Sequence, residues 1–212
     1  MPTEQLRTLE PATIQTPRGL IVLEGPVRGD YINSLELEEK LDNFRPPPKQ
    51  KKALIKIADS PDGQVYLARH EKTIIAYISF HFPDEFSRWS KHPAILELGA
   101  IEVSPNWRNI SLGKRLLNFS FQNPLMEDMI VITIEYCWHW DLDSTRLDIW
   151  EYQRMLARLF GSVGFERILT DDPDILEHIC NVLMARIGKN APPVQVKMFY
   201  DLQFVGGQKP DR

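Results

Sequence analysis

The chain has 212 residues, 43% of them hydrophobic and 10% aromatic, which is enough apolar material for the core of one large domain or two small ones. Lys and Arg total 25 against 29 Asp and Glu, so the formal net charge is only -4. Nucleic-acid and anionic-membrane binding both need a concentrated positive charge, and this balance argues against either kind of partner.

The cysteine content and the hydropathy of the chain favour the cytoplasm. Two cysteines, Cys137 and Cys180, cannot build a disulfide framework. No apolar run approaches the roughly 18 residues that span a bilayer. Residues 1–17 carry charges and lack the apolar core of a secretion signal, so we expect a cytoplasmic protein with no membrane partner.

The first quarter of the chain predicts a lead-in, a strand and the start of a helical region. Residues 1–18 contain three prolines and show no hydrophobic periodicity, so they predict a loosely held N-terminal lead-in. Residues 19–212 are then predicted to form a single domain. The apolar run 19–25 predicts the first strand. From Tyr31 to Phe44, apolar residues recur at nearly helical spacing and predict a helix with Asp30 as its N-cap.

The rest of the chain alternates between helical and strand patterns. A second helix is predicted after the prolines at 46–48, and the β-branched runs 65–68 and 74–82 predict a hairpin. The later elements, in chain order, are a strand at 95–103, a helix at 116–121, a strand at 129–136, the longest helix at 144–163, strands at 166–170 and 182–187 with a capped helical turn between them, and a mixed end at 194–204. This order predicts one α/β domain with a mixed sheet.

The segment 96–117 carries the strongest functional signal. A strand is followed by a tight turn with Arg108, then by Ser111, Gly113 and Lys114 at the start of an amphipathic helix. A helix N-terminus presents unpaired N–H groups and the positive end of the helix dipole, which favour a phosphate or diphosphate. The small side chains of Ser111 and Gly113 leave room for a ligand to approach these groups. The segment therefore predicts a diphosphate-binding site, although it matches neither the P-loop nor the G-x-G-x-x-G fingerprint.

The pattern P-x-W-R-x-x-S-x-G over residues 105–113 resembles the acyl-CoA binding motif, R/Q-x-x-G-x-G/A, of the GNAT superfamily of N-acetyltransferases. Ser111 departs from it, because it stands where the motif has its first glycine. The resemblance implies a single GNAT-type acetyltransferase domain with a mixed, mostly antiparallel sheet flanked by helices, acetyl-CoA as cosubstrate and no metal. It also implies that the diphosphate is held by Arg108, Ser111, Leu112, Gly113 and Lys114, and the pantetheine by the strand backbone near Ile101 and Val103.

Within the superfamily, further stretches resemble the acetyltransferases of acetoin utilization. These stretches are 44–47, 97–103, 136–142, 150–152 and 183–190. This resemblance implies a protein lysine acetyltransferase whose partner and substrate is the AMP-forming acetyl-CoA synthetase, which it would acetylate and inactivate. A small-molecule amine acetyltransferase and a non-catalytic acyl-CoA-sensing inhibitor are the two alternatives.

Two carboxylates are candidates for the base that deprotonates the amine. On an unbroken strand, Glu97 and Glu102 point to opposite faces, and a bulge would reverse that relation. Glu97 stands six residues before Val103, where several superfamily members carry a base, so we favour Glu97 and keep Glu102 as the alternative. A structural role for both is the remaining possibility.

Two further features concern the general acid and a metal site. Many superfamily members use a tyrosine near the end of the long helix as a general acid, but Phe160 stands there. Tyr136 and Tyr152 are the substitutes, and departure of the coenzyme A thiolate without an enzymatic acid is the remaining alternative. The pairs Cys137-x-His139 and His178-x-Cys180 would supply four zinc ligands, but their spacing is not that of the usual zinc knuckle, so we expect no metal.

Overall fold

The computed structural model describes residues 8–206, which form two compact units. The first unit contains the residues up to His81 together with Leu98–Leu125, and the second contains Phe82–Glu97 together with the residues from Met126 onward. Each unit has its own strands, helices and hydrophobic core.

The first unit is a mostly antiparallel sheet with three helices. Strands β1, β2, β4 and β5 pair antiparallel in that order, and the two-residue β3 pairs parallel with β5. The strands are β1 (Ala12–Thr16), β2 (Gly19–Glu24), β3 (Glu36–Leu37), β4 (Gln64–His70), β5 (Thr73–His81) and β6 (Ile95–Val103), and the helices are α1 (Gly29–Ser34), α2 (Pro47–Ala58) and α3 (Leu112–Ser120). Strand β6 contributes its last six residues to this unit.

The second unit contains the start of β6 and the C-terminal part of the chain. Residues Ile95–Glu97 of β6 pair parallel with β7, which pairs antiparallel with β9, and β9 pairs antiparallel with β8. The elements are β7 (Ile130–Glu135), β8 (Glu166–Ile168), β9 (Val182–Ile187), α4 (Leu142–Thr145), α5 (Ile149–Gly161), α6 (Pro173–Leu176) and α7 (Pro193–Leu202). The sheet is mixed and mostly antiparallel, as the sequence predicted.

Two predictions near the N-terminus are wrong in detail. Ala12–Thr16 is not a loosely held lead-in but strand β1, which pairs over its whole length with β2. The predicted helix from Asp30 to Phe44 ends at Ser34, and Arg28 rather than Asp30 is its N-cap residue. The chain then bonds to β5 through the amide of Glu38, which donates to the carbonyl of Ile74 at 3.0 Å. The boundary at residue 18 stays a prediction.

Two of the apolar residues behind the wrong helix prediction are nevertheless buried, and the others are partly buried. Leu35 and Leu41 pack in the core of the first unit with Leu54 of α2 and Tyr77 of β5. The helical spacing therefore indicated correctly that Leu35 and Leu41 are buried. A turn and the short strand β3, rather than a continuous helix, place them in the core.

The long helix is also shorter than predicted. It begins at Ile149 rather than Ser144, because Asp148 forms a capping box with Glu151: each side chain accepts from the other residue's amide, at 2.8 and 3.0 Å. It remains the longest helix among residues 8–206, with 13 residues, and no helix in that range combines the length and hydropathy of a bilayer-spanning segment. The mixed end predicted at 194–204 is largely helix α7, with Pro193 in its first turn.

Candidate active site

The start of α3 has the geometry that a diphosphate site requires. Its first intrahelical bond runs from the amide of Arg115 to the carbonyl of Ser111 at 3.0 Å, so the amides of Leu112, Gly113 and Lys114 precede the helical ladder. The helix has nine residues and no acidic side chain in its first turn. The positive end of its dipole is therefore available for an anion.

The turn before α3 has an unusual backbone. Ser111 has φ 56° and ψ 29°, and Asn109 has φ 68°, so both lie in the left-handed region. Glycine adopts this conformation at little cost, whereas other residues pay about 1 kcal/mol or more. Ser111 thus adopts a backbone conformation that glycine adopts readily, and its side chain makes no capping hydrogen bond. Serine in place of glycine at this position therefore leaves the amide cradle, which is formed by the N–H groups of Leu112, Gly113 and Lys114, in place.

Gly113 lies directly over the end of β6. A Cβ atom added to it would lie 3.3 Å from Cγ2 of Val103 and 3.9 Å from Cδ1 of Ile101. The side chains of Ile101 and Val103 therefore share one face of β6, beneath the start of α3. Arg108 is held beside them, because its Nε donates to the carbonyl of Val103 at 3.3 Å. These residues, all predicted as cofactor-binding, come together in the first unit.

The opposite face of β6 carries Glu102. Ala100 packs against the α1–α2 core on that face, and the Glu102 carboxylate accepts hydrogen bonds from Tyr77 Oη at 2.5 Å and from the Asn43 amide at 2.9 Å. Burial raises the pKa of Glu102, and burial and the adjacent Glu102 carboxylate raise the pKa of Tyr77. One carboxylate oxygen holds the segment around Asn43 and the other accepts from Tyr77 of β5, which favours a structural role for Glu102.

The raised pKa of Glu102 predicts a pH-dependent stability. The folded protein holds this proton to higher pH than the unfolded chain, so the stabilisation is greatest below the ordinary carboxyl pKa of 4.5 and falls as pH rises through the folded-state pKa. A Glu102→Gln side chain does not titrate and can bond to both Asn43 and Tyr77. We expect the melting temperature of Glu102→Gln, relative to wild type, to rise from about pH 4 to pH 7. The exposed Glu39→Gln is the control, and a difference that does not vary with pH contradicts the prediction.

Glu97 has a different environment in the second unit. It pairs with Ile132 of β7 at the last residue pair of the parallel ladder, and it is half-buried. Burial first, and then the carboxylates of Asp174, Asp172 and Glu97, raise the pKa of Tyr136 to about 12. A phenol with so high a pKa is a weak proton donor, so Tyr136 is a poor substitute for the missing helix tyrosine. The ring of Tyr152, the other substitute, stacks on Trp140 with centroids 5.3 Å apart.

The two cysteine–histidine pairs do meet in the second unit. Sγ of Cys137 lies 3.2 Å from Nδ1 of His178, which also accepts from the Cys180 amide at 3.1 Å. Burial, and then Cys180, raise the pKa of the Cys137 thiol, which disfavours the nucleophilic thiolate. Among residues 8–206, no three or more potential ligand side chains are grouped to hold a metal ion.

Sequence reasoning missed two side chains beside β6. Tyr77, which bonds Glu102, and His81, which lies against Gly99, both belong to β5. Each contact joins residues at least 18 positions apart, and neither residue belongs to a local motif. A tyrosine and a histidine spaced four apart at the end of a predicted strand were the only available signal.

Three comparisons with known proteins identify the family of the chain. The profile of the Acetyltransferase (GNAT) family matches residues 32–122. The acetoin utilization protein AcuA of Bacillus licheniformis is 41% identical over 203 residues, which cover 95% of this chain and 97% of that protein, and AcuA of Bacillus subtilis is 40% identical over the same lengths. A crystal structure of an acetoin utilization protein from Exiguobacterium sibiricum superimposes with a TM-score of 0.89 at 38% identity, covering 93% of this chain and 94% of that one.

The chain therefore belongs to the GNAT family of acetyltransferases and, within it, to the group that contains the AcuA proteins. It is an N-acetyltransferase, and its fold class is confirmed.

Proposed function

We propose that this chain transfers an acetyl group from acetyl-CoA to a lysine of an AMP-forming acetyl-CoA synthetase and thereby inactivates it, in the cytoplasm and in the context of acetoin or acetate utilization. The support for the context is the similarity to proteins named for acetoin utilization, over 95% of this chain. The support for the cosubstrate is the amide cradle at the start of α3, with Gly113 above Ile101 and Val103.

The proposed cosubstrate site uses one end of β6 and the start of α3. The amides of Leu112, Gly113 and Lys114, together with the backbone of Ser111 and the charge of Arg108, hold the diphosphate. The pantetheine runs along the β6 backbone near Ile101 and Val103. Lys114 is exposed at the first turn, where its ammonium adds positive charge beside the diphosphate.

The transfer requires a neutral amine. A lysine with pKa near 10.4 costs about 4 to 5 kcal/mol to deprotonate at pH 7, so a positioned base is needed. We assign this role to Glu97, which is half-buried, acting directly or through one water. The neutral amine nitrogen then attacks the thioester carbon, and the C–N bond forms as the C–S bond breaks. The sulfur keeps the bonding pair and leaves as the thiolate of coenzyme A, and the nitrogen releases its second proton to solvent.

The experiment is intact-mass measurement of a purified AMP-forming acetyl-CoA synthetase incubated with this protein and acetyl-CoA. We expect a gain of about 42 Da, the mass of one acetyl group on lysine, with a proportional loss of synthetase activity. Omission of acetyl-CoA is the control. Inhibition without a mass gain would point to the binding-only alternative, and rapid acetylation of small amines with an unchanged synthetase would point to a small-molecule acceptor.

A further inference from the structure

His81 ends β5, and its imidazole lies directly against Gly99 of β6. A Cβ atom built on Gly99 would lie 2.1 Å from Nε2 of His81 and 2.8 Å from its Cδ2. Any side chain at Gly99 would collide with the ring, so the glycine is what permits this placement. His81 is half-buried, so part of the residue stays accessible.

The position of Gly99 along β6 matches the reach of the proposed cosubstrate. Gly99 lies four residues before Val103, and four residues of extended strand span about 13 Å. The pantetheine arm has two amide groups between the diphosphate and the sulfur, and its length is close to that of about four residues of extended chain. A cosubstrate held at the start of α3, with its arm along β6, brings its sulfur to the level of Gly99 and His81.

A proton delivered to that sulfur as the C–S bond breaks makes the thiol a better leaving group. Phe160 has no hydroxyl group that could donate a proton, and the raised pKa of Tyr136 makes its phenol a weak proton donor. Imidazole is the side chain that takes up and releases a proton near neutral pH. His81 is therefore the side chain of the first unit whose chemistry and position both suit the leaving group.

We propose that His81 is the catalytic acid of acetyl transfer, a role that rests on the proposed function. As the amine nitrogen bonds to the carbonyl carbon, the C–S bond breaks and leaves its electron pair on sulfur. The proton on Nε2 of His81 moves to that sulfur, giving the free thiol of coenzyme A and a neutral imidazole. The nitrogen has lost one proton to the base before the attack and releases its second proton to solvent as the amide forms. The imidazole regains a proton from solvent, so one proton is released overall.

The first test compares wild type with His81→Gln, which keeps a polar side chain but cannot act as an imidazolium donor. We expect kcat with acetyl-CoA to fall about 100-fold, as for loss of a general acid, while KM for acetyl-CoA changes less than about threefold. His70→Gln, on neighbouring β4, is the matched control and should retain wild-type activity, because that imidazole lies beside Trp107 and the carbonyl of Leu20.

A selenium analogue of acetyl-CoA separates an acid from a structural role. A selenolate leaves without needing a proton, because selenols are much stronger acids than thiols. We expect the loss in His81→Gln to shrink from about 100-fold to within about threefold with the selenoester. An equal loss with both substrates would overturn the acid role.

A second pair of variants uses the contact with Gly99. The methyl of Gly99→Ala should displace the imidazole and lower kcat at least about tenfold, whereas the same change in a His81→Ala background should cost nothing further. Additive losses would contradict the proposal. If wild type transfers acetyl and His81→Gln matches it, the acid role fails and the proposed function stands; if wild type transfers no acetyl group, both fail.

Discussion

Replacing Glu97 by glutamine should lower kcat for lysine acetylation by about 10²- to 10³-fold, the usual cost of losing a positioned general base. The two side chains have the same shape, so the half-buried position and the pairing of residue 97 with Ile132 should survive the change. The amide cannot accept the proton of the attacking amine, and the lysine must then lose that proton to water.

The pH dependence distinguishes this role from a structural one. A lysine becomes neutral without help as pH approaches about 10, so the deficit of Glu97→Gln should shrink steadily between pH 7 and pH 10. Rates of acetyl transfer across this range, with circular dichroism to confirm folding, provide the measurement. A deficit that stays constant with pH would indicate lost structure rather than a lost base.

The Glu102→Gln variant identifies which carboxylate is the base. Both oxygens of Glu102 are already engaged by Tyr77 and Asn43, so we expect its activity to stay within about fivefold of wild type, as for a residue outside the proton-transfer step. The opposite result, a large loss in Glu102→Gln and none in Glu97→Gln, would transfer the base role to Glu102.

Introducing a carboxylate at the start of α3 should abolish tight binding of coenzyme A. In Gly113→Asp the new side chain starts 3.3 Å from Cγ2 of Val103, where the proposed pantetheine runs, and it places a negative charge beside the diphosphate. We expect it to weaken binding of coenzyme A at least 100-fold, or about 3 kcal/mol. An acidic residue in the first turn favours the helix dipole by about 0.3 to 1 kcal/mol, so α3 should fold as before.

Gly113→Ala is the matched control for this experiment. Its methyl lies 3.3 Å from Cγ2 of Val103, a contact that a small shift relieves, and it carries no charge. We expect a loss of less than about tenfold, and calorimetric titration of coenzyme A into each variant measures the difference. The defect of Gly113→Asp should also diminish at high salt, because salt screens the repulsion. Equal affinities for the Asp and Ala variants would place the diphosphate elsewhere.

Some elements were predictable from the sequence because their signals are local. The strand prediction at 95–103 matches the observed bounds of β6, and the hairpin of β4 and β5 followed from two β-branched runs with a polar break. Strand β1 was missed because its five residues, ATIQT, contain a single large apolar side chain and pair at the end of the sheet. Its strand structure depends on β2 more than on its own composition.

The residues of the candidate site also fall into two groups, those that the sequence predicted and those that only the tertiary structure placed. By itself, the sequence determined the motif from Arg108 to Lys114, because the turn and the helix start are formed by consecutive residues whose backbone geometry is set locally. Only the tertiary structure placed Tyr77 and Asn43 on Glu102, and His81 over Gly99. These partners are 18 to 59 positions apart, and periodicity records which face of an element is buried but not which distant side chain it meets. Strand pairing and packing decide that second question.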